Sequence, residues 1–131
     1  MRIYTSYFGK IKKLRERNIE PVSISRWKPK FYEGKMMLSV APTPYMLSES
    51  CSREEYIRLY KKILENRGAG NIFQEIKSLS GGKDIALCCY ETPEKFCHRH
   101  LLADFLNTEL NLGVNEFEDE KEVKIEEPTL F

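Results

Sequence analysis

Six consecutive apolar residues, Ile85-Ala86-Leu87-Cys88-Cys89-Tyr90, constrain this chain more than any other feature it has. A strand without polar alternation must be covered on both faces, which is the condition of a strand inside a parallel sheet. Such a sheet needs helical crossovers, and the rest of the chain supplies them. Ser52 followed by Glu55 is a capping box, and Tyr56, Tyr60, Ile63 and Leu64 then recur at helical spacing until Gly68. Phe73, Ile76 and Leu79 form a second stripe that predicts a helix over 72–80, with Gly81-Gly82 as its stop and Gly68-Ala69-Gly70 read as a stop before it. A last helix is predicted from 96 or 97 to 110 through Leu101, Leu102, Phe105 and Leu106, ended by Gly113; Thr92-Pro93 offers a start one turn earlier.

Upstream, Ile3, Tyr4, Thr5 and Tyr7 predict a strand over 2–7, followed by a short basic helix over 10–17. Val22 and Ile24 predict a second strand over 21–25, closed by the loop Arg26-Trp27-Lys28-Pro29. Residues 31–50 are expected to form a long irregular covering loop around Gly34, Pro42 and Pro44. The order of elements predicts one α/β domain over 1–114, a largely parallel sheet flanked by helices, which 131 residues with 41% hydrophobic content can fill. Residues 115–131 hold seven acidic and two basic residues and are expected to be an acidic tail, or an edge strand through Val123 and Ile125. They leave a body of net charge +6, which favours anionic partners such as nucleotide or nucleic acid phosphate.

No run approaches the roughly 18 apolar residues of a membrane span, and Met1-Arg2-Ile3-Tyr4 leads straight into strand-like sequence. The expectation is a cytoplasmic protein without a membrane partner. Four cysteines in such a chain do not make a disulfide framework and are expected to stay reduced, in thiol, metal-binding or core roles.

Ligands of open α/β sheets bind outside the carboxyl ends of the strands, where the following helix points its positive terminus. Cys97, His98 and Arg99 are predicted to stand there. A helix terminus and a nearby guanidinium both favour a thiolate, which makes Cys97 the candidate nucleophile. His98 is the candidate acid or base and Arg99 a planar fork for phosphate or carboxylate. Each has a plainer role as well: a small core residue, a satisfied hydrogen-bonding ring, a surface ion-pair partner.

Alternation sends Cys88 and Cys89 to opposite faces of their strand, and Cys89 with Glu91 brackets the strand exit. Cys89, Cys97 and either His98 or His100 offer the ligand types of zinc, although no CxxC or HxxxH pair is present. The residues six positions beyond the two adjacent cysteines are Glu94 and Lys95, which excludes a simple phosphotyrosine-phosphatase loop. GxxxxGK[ST] and GxGxxG phosphate loops are absent too.

Cys89-Tyr90-Glu91, then Cys97-His98-Arg99-His100-Leu101-Leu102-Ala103-Asp104, resembles the signature of the bacterial and archaeal family called domain of unknown function 488. Ile3-Tyr4-Thr5-Ser6-Tyr7-Phe8-Gly9 resembles that family's opening strand and turn, and Val22-Ser23-Ile24-Ser25-Arg26-Trp27-Lys28-Pro29 its second strand. The resemblance implies a Rossmann-like fold and nominates Tyr7, Arg26, Cys89, Glu91, Cys97, His98 and Arg99 as lining one pocket. It names neither a reaction nor a cofactor. Ser25 stands where the family usually has aspartate, and His100 where serine is common.

Three functions compete on this reading. One is an enzyme acting on a nucleotide, nucleic acid or related phosphorylated compound, with Arg26 and Arg99 holding the anion, Cys97 or Glu91 reacting and His98 moving protons. Another is a binding module in which the same arginines recognise phosphate and the cysteines are merely packed. The last is an adaptor whose terminal Glu127-Pro128-Thr129-Leu130-Phe131 docks on a protein partner, against the plainer reading of a frayed terminus. Trp27 beside Lys28 and Lys30 is the pattern of a base-stacking platform, and more ordinarily of a loop packed on the core.

Overall fold

A computed structural model describes residues 1–90 and 97–118. The elements run β1 (Ile3–Tyr7), a 3-10 turn (Phe8–Lys10), α1 (Ile11–Glu16), β2 (Ile19–Ser23), β3 (Lys35–Met36), a second 3-10 turn (Leu38–Val40), α2 (Arg53–Arg67), α3 (Ala69–Ser80), β4 (Asp84–Cys89), α4 (His98–Leu110) and β5 (Asn115–Glu116). The strands form one five-stranded sheet in the order β3-β2-β4-β1-β5, parallel throughout. The apolar run is the centre of this sheet, and Ile85 through Cys89 are all at most 1% exposed. The α/β reading with a parallel sheet therefore holds.

Register brings three strand ends to one edge. Tyr7 of β1 pairs with Cys89 of β4, and Ser23 of β2 pairs with Cys88. Alternation along β4 sends Ile85, Leu87 and Cys89 into the larger core with α2, α3 and α4, and Ala86 and Cys88 into a smaller core under α1 with Phe8, Ile11, Leu14 and Tyr32. Cys88 and Cys89 thus face opposite sides, as the period of a strand requires.

Several boundaries differ from the sequence expectation for local reasons. β2 begins two residues earlier than predicted and holds Pro21 inside it. β3 pairs only with Val22 and Ser23, so Pro21 sits where β2 has a strand partner on one side. In the glycine pair around Ala69, only Gly68 stops a helix, at φ +84°; Ala69 and Gly70 already belong to α3. α4 ends not at Gly113 but at Asn111, which takes the left-handed conformation at φ 52°, one that asparagine tolerates. Ser52 caps α2 as predicted, its hydroxyl accepting from the Glu55 amide at 3.1 Å. Residues 115–117 are not free tail: β5 pairs with Tyr4 and Thr5, and Phe117 is buried. The edge strand expected through Val123 and Ile125, the start at Thr92-Pro93 and the terminal pentapeptide lie outside the described residues. Among the described residues no helix is long and apolar enough to cross a membrane.

Candidate functional site

Cys97 is the amino-terminal cap of α4, extended at φ −153°, ψ 144°, and His98 and Arg99 open the helix. The positive end of a 13-residue helix therefore lies at Cys97, whose side chain makes no capping hydrogen bond. His98 is buried, with Nε2 2.7 Å from the Ile24 carbonyl and Nδ1 3.7 Å from Cys97 Sγ. A carbonyl can only accept, so Nε2 carries the proton and Nδ1 turns its lone pair to the sulfur. Loss of hydration holds the His98 pKa down at about 4, with Arg99 and His100 adding to the depression and the Ile24 bond opposing it. The ring is neutral at pH 7. Its edge also meets the Tyr60 ring at 5.4 Å, which fixes the imidazole plane.

The expectation that all four cysteines stay reduced is overturned, because Cys89 and Cys97 form a disulfide. Cys89 ends β4 and Cys97 precedes α4, so the two sulfurs meet where strand end and helix start converge. Cys51 and Cys88 are free. Burial pushes the Cys88 thiol up to about 12, which leaves it an inert core group.

Arg99 does not stand as an open fork. It is fully buried, and Nε and Nη2 donate to the two Glu116 carboxylate oxygens at 3.0 and 3.1 Å. Nη1 donates to Cys89 Sγ at 2.9 Å, and the guanidinium lies over the Tyr7 ring at 5.8 Å. Glu116 also accepts from the Thr5 hydroxyl at 2.7 Å. Arg99, buried, with the half-buried Tyr7 and Glu116 thus forms a polar brace behind the disulfide, with Cys89 as the joint. Nothing local in the sequence marks Glu116, which sits among the acidic residues assigned to the tail.

In front of the disulfide lies a cleft of about 560 Å³ lined by Ser25, Arg26, Trp27, Pro42, Met46, Leu47, Cys51, Ser52, Arg53, Tyr56, Cys89, Tyr90, Cys97 and His98. Of the sequence candidates, Arg26, Cys89, Cys97 and His98 line it; Tyr7 and Arg99 do not, and Glu91 lies outside the described residues. Arg26 donates through Nε to the Pro42 carbonyl at 2.9 Å and through Nη2 to the Ala41 carbonyl at 3.5 Å. Both partners are neutral, so the plane of the guanidinium is fixed while, among the described residues, no carboxylate pairs with its charge. Among the described residues no carboxylate lines the cleft. Trp27 is not packed on the core but 59% exposed at the mouth. The amino end of α2, through Ser52 and Arg53, also opens on the cleft and carries no sequence sign of doing so beyond its cap.

Cys89 Sγ, Cys97 Sγ and a His98 ring nitrogen lie within 4.8 Å of one another. Of the two histidines weighed as a third ligand, His98 joins the cluster. His100 stands apart, its Nε2 shut from solvent without a hydrogen-bond partner among the described residues.

No curated protein and no solved structure matches the chain. The family model DUF488-N3a, described as the active DUF488-N3 subclade, matches residues 13–110, about three quarters of the chain and both segments that form the cleft floor. The resemblance carried by the Cys89 and Cys97-His98-Arg99 segments is thereby upheld: the chain belongs to the DUF488 family, in its DUF488-N3a group.

Proposed function

We propose that the protein is an enzyme acting on a small phosphorylated compound, the class that includes nucleotides, with Cys97 as nucleophile, His98 as proton carrier and Arg26 as the anion's ligand. The observation that carries this reading is the convergence on one cleft of the sulfur of the residue that starts α4, an oriented neutral imidazole 3.7 Å from it, and a guanidinium whose hydrogen bonds among the described residues go to neutral carbonyls. The description of the matched family as an active subclade supports an enzyme over a bare binding module.

Two equivalents of a small thiol convert the Cys89–Cys97 disulfide to two free thiols and leave as their own disulfide. As the Cys97 sulfur gives its electron pair to a new bond at the substrate's electrophilic centre, its proton passes to Nδ1 of His98, a ring too weakly basic to hold it beforehand. The leaving group departs with the electrons of the broken bond and receives the proton from His98. Water, deprotonated by the same ring, releases the product and restores the thiol. Arg99 is a positioning residue that holds Cys89 and is itself neutralised by Glu116.

The test is a panel of nucleotides and sugar phosphates given to the reduced chain. Turnover is expected with the wild type and is expected to fall more than about a hundredfold in Cys97→Ser with an unchanged circular dichroism spectrum. Turnover retained in Cys97→Ser, or none in the reduced wild type across the panel, contradicts the proposal.

The three ligand atoms within 4.8 Å favour a second reading, a zinc site formed on reduction. The donor set fits, since two thiolates and one imidazole suit zinc, and the Nε2–H to Ile24 carbonyl bond is the kind that orients a ligating histidine. Cys89, Cys97 and His98 would hold the ion, which supplies a Lewis acid at the cleft floor. Cobalt(II) added to reduced protein distinguishes the two: thiolate-to-cobalt absorption that disappears in Cys89→Ser supports the metal, and its absence in the wild type leaves the thiol enzyme.

A further inference from the structure

Resting on the reading of the cleft as an anion-binding active site, we infer that the cleft takes a nucleotide unit, with its phosphate on Arg26 and its base stacked on Trp27. The two residues are consecutive in the loop after β2 and both line the cleft. Arg26 contributes a charge that its backbone partners do not neutralise, and among the described residues the lining holds no carboxylate to repel an anion. Trp27 contributes the largest aromatic face in the chain, and 59% of it is exposed. Tyr90, also about half exposed, lines the same cleft from the end of β4 and is held edge-to-face on Phe8 at 5.1 Å, so it is a fixed wall rather than a loose ring.

The shape of the cleft agrees. About 560 Å³ is far more than a phosphate fills and falls in the range of small-ligand pockets, while Pro42, Met46, Leu47 and Tyr56 give the wall apolar surface for a sugar and base. A planar heterocycle joined to an anion meets all these requirements at once: ring on ring, phosphate on guanidinium, apolar edge on apolar wall. Base stacking on an aromatic side chain tolerates any base, so the geometry assigns a nucleotide without selecting one.

The chain has one tryptophan, so its fluorescence reports on the proposed stacking partner directly. The experiment titrates the full chain with adenosine monophosphate, ribose 5-phosphate and a 5′-phosphorylated single-stranded trinucleotide, and repeats each by calorimetry with Trp27→Ala, Trp27→Phe and Arg26→Gln. Saturable quenching by the mononucleotide or the trinucleotide is expected. Ribose 5-phosphate is expected to bind about tenfold more weakly, Trp27→Ala to lose about tenfold and Trp27→Phe to keep most of the affinity. Arg26→Gln is expected to weaken all three ligands. Tighter binding of the trinucleotide assigns the unit to a strand end, and equal or weaker binding assigns it to a free nucleotide. Equal affinity for ribose 5-phosphate and the nucleotide overturns base recognition while leaving the anion site standing. Absence of binding by any of the three overturns both.

Discussion

At the scale of single residues, His98 carries the sharpest consequence. Its folded pKa of about 4 lies below the ordinary 6.5, so the folded chain refuses a proton that the unfolded chain accepts. Above pH 6.5 neither state is protonated and nothing is lost; as pH falls from 6.5 toward 4 the unfolded state gains the proton and stability declines. By pH 4.5 the decline from this ring amounts to about 2–3 kcal/mol. Urea unfolding of wild type and His98→Gln at pH 7 and pH 4.5 measures it. The difference between the two proteins is expected to shift by that amount in favour of the variant at the lower pH, and a pH-independent difference contradicts the burial of a neutral ring. Glu116 gives a second test. Arg99 is 0% exposed, and removing Glu116 takes two charge-assisted hydrogen bonds from a buried guanidinium. Glu116→Ala is expected to cost about 3–5 kcal/mol of unfolding free energy, and Arg99→Met with Glu116→Leu to recover much of it. A loss under about 1 kcal/mol in the single variant contradicts the ion pair's closed geometry.

Elements were legible in the sequence where their signals are local. The apolar run of β4 and the Ser52–Glu55 box of α2 each depend on a few adjacent residues, and both stand where the pattern puts them. Ser52→Ala is accordingly expected to lower stability by about 1 kcal/mol and Ser52→Asp to leave it nearly unchanged, read from urea midpoints. An alanine variant as stable as the wild type would mean the cap contributes nothing. Where the outcome depends on tertiary pairing, local pattern fails. β5 is two residues long and has no alternation to read, so Glu116 looked like tail although Thr5 and Arg99 draw it into the sheet. Pro21 argues locally for a strand start, yet the absence of a β3 partner at that level lets it sit inside β2. The site divides the same way. Cys89, Cys97 and His98 were readable as a cluster at the sheet edge, and Arg26 joined them through the family resemblance, but that Arg99 turns inward to Glu116 and that Cys89 and Cys97 are bonded follow only from how α4 packs against β4 and β1.

For the whole molecule, the parallel sheet places the ends of β1, β2 and β4 and the amino end of α4 at one edge, with a cleft in front and a polar brace behind. The central claim is that Cys97 is the reactive group of that edge once its bond to Cys89 is opened. The most direct measurement is the rate of iodoacetamide alkylation of each cysteine against pH, by mass spectrometry, on the reduced chain and on Cys89→Ala. Cys97 is expected to react first in both, at least about tenfold faster than Cys88, with a midpoint below the free-thiol value of about 8.5 because the α4 terminus stabilises its thiolate. Alkylation of Cys97 no faster than that of Cys88, or a midpoint above the free-thiol value, would contradict it.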